Sequence, residues 1–74
     1  MQIETIDGSG KRFPGCFVRV VSKAAHMKKG SILEARCDCP TFEKDMRTYC
    51  QATDKVFLSV ESGGGKIKII RIQI

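Results

Sequence analysis

The thiols of Cys16, Cys37, Cys39 and Cys50 are the side chains best suited to covalent chemistry in this sequence. A thiol attacks as its thiolate, which forms most readily at a helix start or beside cations. Two of the four meet that condition on sequence alone. Cys16 lies two residues after Pro14, in the first turn of an expected helix and just beyond Lys11 and Arg12. Cys39 directly precedes Pro40, at the expected start of a second helix. A plainer reading stands beside each, because a free cysteine is often a small buried hydrophobe. Cys37 alternates in phase with Leu33 and Ala35, and Cys50 falls on an apolar helical stripe, so both read as core. Cys16 is expected to be more reactive than Cys50.

Other chemistries fit less well. The Cys37-Asp38-Cys39 spacing is tighter than that of zinc-binding pairs, no second pair follows, and His26 falls on a solvent face, so no metal site is expected. A disulfide from Cys16 to Cys37 or Cys39 stays open, subject to geometry. The stretch "GSGK" lacks the full spacing of a phosphate-binding loop.

The elements that must position these thiols follow from periodicity. Residues 2–7 read as a strand and "GSGK" as a loop. From Pro14, the first helical position, Phe17, Val20, Val21, Ala24 and Met27 form an apolar stripe, opposite Arg19, Ser22, Lys23 and His26. Lys28 and Lys29 suit the carboxyl end, and Gly30 stops the helix. Residues 31–37 form a second strand. A second helix opens on Pro40, capped by Asp38 or Cys39, with Phe42, Met46, Tyr49, Cys50 and Thr53 inward. Residues 55–61 form a third strand with Val56, Leu58 and Val60 on one face. Phe57 then joins Ile32 on the face away from the helices, an open face suited to pairing two subunits. Residues 66–74 form a fourth strand whose apolar phase slips between Ile69 and Ile70, as at a bulge.

The order βαβαββ implies an α+β fold, a two-layer sandwich of two helices over one four-stranded mixed sheet. Parallel first and second strands place the loops after them at one edge, gathering Cys16, Cys37 and Cys39, with Cys50 near the far end of the second helix. A chain of 74 residues makes one domain, spanning 1–74. No apolar run approaches the ~20 residues of a membrane span. The start "MQIETI" lacks the basic and apolar blocks of a signal peptide, so a cytoplasmic location is expected. A net charge of +5 favours anionic partners, whether RNA or an acidic protein surface.

The stretch after the first strand resembles the TusA/SirA sulfur-carrier family, whose mark is D-x-x-G-x-x-C-P-x-P. Asp7, Gly10 and Pro14 match it, while Phe13 stands at the family's cysteine and Cys16 at its second proline. The similarity continues through "KKGSILEARCDCPTFEKDMRTYCQAT" and "DKVFLSVE" in order and length. The resemblance implies a sandwich similar to the C-terminal domain of translation initiation factor 3. It also implies a persulfide carrier that takes sulfur from one protein and passes it to another, toward thiolated tRNA or related sulfur metabolism, with no metal or organic cofactor. Cys16 is then the first candidate carrier, a displaced thiol inside the motif loop, and Cys39 the second.

Three functions are weighed. The first is a sulfur-relay protein, active through a displaced thiol or as a variant that has lost transfer. The second is a non-catalytic module that binds a protein partner. The third is a basic RNA-binding domain, disfavoured because no aromatic ladder is expected on a sheet face. Lys11, Arg12, Arg19 and Lys23 are the expected partner-binding patch. Self-association is expected to go no further than a weak homodimer.

Overall fold

The computed structural model describes residues 2–10 and 15–74. Its elements are β1 (Ile3–Asp7), α1 (Gly15–Ala24), β2 (Ile32–Cys37), α2 (Phe42–Thr53), β3 (Val56–Ser62) and β4 (Lys68–Gln73). The expected βαβαββ order and α+β sandwich are therefore present. Sheet order is β1-β2-β4-β3. β1 runs parallel to β2, while β4 lies antiparallel to both β2 and β3. One crossover helix, α1, connects the parallel pair, so the loops that follow β1 and β2 leave the sheet at the same edge.

Alternation along the strands decides what each face carries. Leu33, Ala35 and Cys37 of β2 and Ile70 and Ile72 of β4 are buried beneath the helices. Phe42, Met46 and Cys50 descend from α2 at helical spacing, and Cys16, Val20 and Ala24 from α1. Fully burying a side chain such as Leu33 or Phe42 contributes about 1.5–3 kcal/mol, so this short set of residues carries most of the fold's stability.

Several boundaries and facings differ from expectation. α1 ends at Ala24 rather than at Gly30, because the chain tightens into turns closed by His26 N–H to Lys23 O and Met27 N–H to Ala24 O. Gly30 adopts a left-handed φ of 93° and donates to Ile74 O, tying the turn to the end of the chain. α2 starts at Phe42, with Thr41 as its N-cap; neither Asp38 nor Cys39 caps it and Pro40 precedes it. Thr53 is exposed and turns its hydroxyl onto Tyr49 O, so it leaves the inward stripe.

The phase slip lies in β3, not β4. The register of β4 against β2 is unbroken, whereas β3 shifts against β4 between Phe57 and Ser59. The extra residue there, Leu58, is exposed, as is Val56. Phe57 accordingly points toward the helices, where the Arg47 guanidinium covers its ring at 4.3 Å. The open sheet face therefore carries Ile32 without Phe57. Its centre is polar: Arg71 pairs with Glu34 at 2.7 Å and also with Glu61.

Candidate functional site

Two loops meet at the edge where β1 and β2 end. Asp7 folds the first back on itself, accepting from Ser9 N–H at 2.9 Å and from the Ser9 hydroxyl at 2.6 Å. These bonds hold the Asp7 carboxyl below its ordinary value. Gly8 N–H donates to Arg36 O, and Gly10 N–H donates to the Asp38 carboxylate at 3.2 Å, so β1's loop is fastened to β2's. Asp7 and Gly10 of the sequence motif thus shape this junction. Lys11, Arg12, Phe13 and Pro14 lie outside the described residues.

The junction encloses three thiols. Gly8 is what lets them close up: a Cβ there would lie 3.1 Å from Cys37 Sγ and 3.2 Å from Cys16 Cβ. Cys16, Cys37 and Cys39 belong to one buried cluster, with Cys16 and Cys37 both packed against Gly8. The Cys39 sulfur also lies 3.7 Å from Thr41 Oγ1, whose hydroxyl donates to Asp45 at 3.0 Å. All four cysteines are free thiols. Among the described residues no group of three or more His, Cys, Asp or Glu side chains is placed to hold a metal ion.

Burial distinguishes the three. Cys16 and Cys37 are 0% exposed and Cys39 is 8% exposed. The helix start was expected to ease ionisation of Cys16, but the opposite holds. Loss of water raises its pKa, outweighing the Cys37 thiol and Phe17 N–H that favour the anion. Burial first, then the Cys16 contact, pushes Cys37 up to about 12. Cys50 is enclosed in the core and raised by burial as well, so Cys16 has no advantage in exposure over it. The clue to Cys16's burial was its i, i+4, i+8 spacing with Val20 and Ala24.

Beside the thiols a groove of about 660 Å³ runs along α1 and the edge strand β1, lined by Ile6, Gly15, Val18, Arg19, Ser22, Lys23 and His26. Val18 is exposed in it. Lys23 reaches Glu4 at 2.7 Å, and His26 Nδ1 lies 2.8 Å from Ser22 O. Two of the expected partner-binding residues, Arg19 and Lys23, are thus on one surface, and Gly15 links that surface to the thiol junction.

A family model described as Sulfurtransferase TusA matches residues 4–74. The chain belongs to the TusA sulfurtransferase family. The match spans every element of the fold and supports a sulfur-carrier role served by protein partners. No curated protein matches the sequence. No helix among the described residues is long and apolar enough to cross a membrane.

Proposed function

We propose that this TusA-family chain carries sulfane sulfur as a persulfide and that Cys39 is its point of entry. The supporting observation is the contrast in burial among the clustered cysteines: all three are buried, but Cys39 keeps 8% of its surface exposed and Cys16 keeps none. A protein donor must bring its sulfur within bonding distance of the acceptor thiol, and an enclosed thiol cannot meet it. Cys16 therefore moves from first carrier, as the motif suggests, to the thiol behind the carrier. Phe13, at the family's cysteine position, has no sulfur to offer, and the neighbouring loop provides another.

The groove over Arg19 and Lys23 suits an acidic donor or acceptor docking beside the thiols. Delivery toward thiolated tRNA or related sulfur metabolism is what the family resemblance implies. Direct RNA recognition is the weaker reading, since among the described residues no aromatic side chain lies on the open sheet face to stack a base. A non-catalytic binding module is favoured by one observation, the complete enclosure of Cys16, Cys37 and most of Cys50.

Incubation with a cysteine desulfurase and cysteine, followed by intact-mass and peptide analysis, separates these readings. Wild type is expected to gain sulfur at Cys39, and Cys39→Ser to gain none. Uptake that persists in Cys39→Ser but fails in Cys16→Ser returns the role to Cys16. Absence of uptake in wild type from any competent donor makes the binding module the better reading.

A further inference from the structure

The two outer edges of the sheet are built differently. β3 carries the register shift between Phe57 and Ser59, and a bulge turns an edge away from further pairing. β1 pairs with β2 without interruption from Ile3 to Asp7 and contains neither proline nor lysine. In a parallel ladder, alternate residues turn both backbone groups to the neighbour and those between turn away. Ile32 N–H donates to Gln2 O and Gly8 N–H donates to Arg36 O, so Gln2, Glu4, Ile6 and Gly8 face β2. The N–H and C=O groups of Ile3, Thr5 and Asp7 therefore point outward, and no strand among the described residues meets them.

Resting on the reading of this chain as a relay between proteins, we propose that the outer edge of β1 takes up an extended acidic segment of a partner protein, which adds to the sheet as a fifth strand. Backbone pairing of this kind supplies the hold, and the side chains that alternate along the added strand supply the selection. The added strand would lie ~4.8 Å beyond β1. It would run as far as Asp7, one residue short of the Gly8 that packs on Cys16 and Cys37, so its end reaches the thiol junction.

Charge selects the occupant. Every second side chain of the added strand would rise on the helix side, into the groove of about 660 Å³ between β1 and α1. Arg19, Lys23 and His26 line that groove, and Lys23 is already answered by Glu4 at 2.7 Å. The Asp7 carboxylate is turned onto Ser9, so Arg19 is left as the cation to meet an incoming carboxylate. The other side chains of the added strand would lie on the open face beside Ile3, which is 62% exposed and suits an apolar neighbour. A second copy of this chain fits less well, because each copy carries a net charge of +5 and the two repel.

The test follows amide hydrogen exchange by NMR on the full reduced chain. The probe is a short blocked peptide of alternating glutamate and valine, and its control has lysine in place of glutamate. The glutamate peptide is expected to slow exchange of the Ile3 and Thr5 amides several-fold and to leave β3 unchanged, and the lysine peptide to do neither. Thr5→Pro removes an outward donor without breaking a bond between β1 and β2, so it should abolish the protection. Arg19→Glu should weaken binding several-fold. If Thr5→Pro fails to fold, the glutamate peptide N-methylated throughout takes its place on wild type and should protect neither amide. Protection on β3 instead, none on β1, equal binding of the lysine peptide, or binding that survives Thr5→Pro or N-methylation overturns the proposal. Protection of Ile3 and Thr5 that grows with protein concentration alone names a second copy as the occupant and overturns it too. Sulfur uptake from inorganic polysulfide separates this proposal from the relay reading. Uptake without peptide protection removes the docking edge and leaves the carrier, and protection without uptake does the reverse.

Discussion

Gly8 sets how close the thiols can come. Its missing side chain is replaced by Cys37 Sγ and the Cys16 Cβ, which would lie 3.1 and 3.2 Å from a methyl there, closer than ordinary van der Waals contact. Gly8→Ala should therefore destabilise the fold by about 1–3 kcal/mol, the usual range for overpacking a filled core. It should also push Cys16 and Cys37 apart and speed their alkylation in the folded chain. Denaturant unfolding and native-state alkylation measure the two effects separately. A variant with wild-type stability would show that the junction yields easily, and the thiols are then not held by packing. The gathering of Cys16, Cys37 and Cys39 was legible in the sequence, because parallel first and second strands bring their loops to one edge. Their burial was not: Cys16 was read for its helix-start field, yet the low-dielectric surroundings count for more.

Elements were more legible than their edges, and the reasons are local. The βαβαββ order follows from apolar period, which the core enforces over whole strands and helices. The third strand's facing was misplaced because the extra residue at Leu58 reverses the phase, and a period-2 reading assumes none. The second helix was started too early because Pro40 fits a first helical turn and also fits the turn before one. Once α2 is placed at Phe42, Glu43 lies in its first turn, where the helix dipole favours an acid, and its carboxylate joins α2 to β4. It meets Lys68 at 2.9 Å and Arg47 at 3.1 Å. The Lys68 hydrogen bond, then that from Arg47, holds its carboxyl below the ordinary value of 4.5. A depressed folded value means that the pairs stabilise the fold above the unfolded pKa and lose that effect as pH falls through the folded one. Glu43→Gln should therefore lower the melting temperature slightly at neutral pH. The gap to wild type should narrow below about 4.5 and shrink in high salt, because the site is exposed. A gap that stays constant down to pH 2 would show that the charge is not what joins the two elements.

At the scale of the whole molecule, the two faces of the sandwich offer different surfaces to a partner. The open sheet face satisfies its central charges internally, with Arg71 between Glu34 and Glu61. The α1 side presents the groove over β1, where exposed Val18 lies among Arg19, Lys23 and His26 on a chain of net charge +5. β1 is an edge strand, and Gly15 places the groove's end beside Cys16 and hence beside the thiol junction. On the proposed relay, a sulfur donor that docks there would gain orientation from charge beside the thiol junction. Lys23 is tied to Glu4 and steadies the fold, so Arg19 is the better residue to change. Arg19→Glu is expected to slow loading of Cys39 by a protein donor several-fold, and added salt should slow loading of wild type in the same way. Loading by inorganic polysulfide, which needs no docking surface, should be unchanged by the substitution. Equal slowing with both donors would mean that Arg19 acts on the thiols or the fold rather than on docking. Unchanged loading by the protein donor would place its contact elsewhere, and the groove would then have no part in the relay.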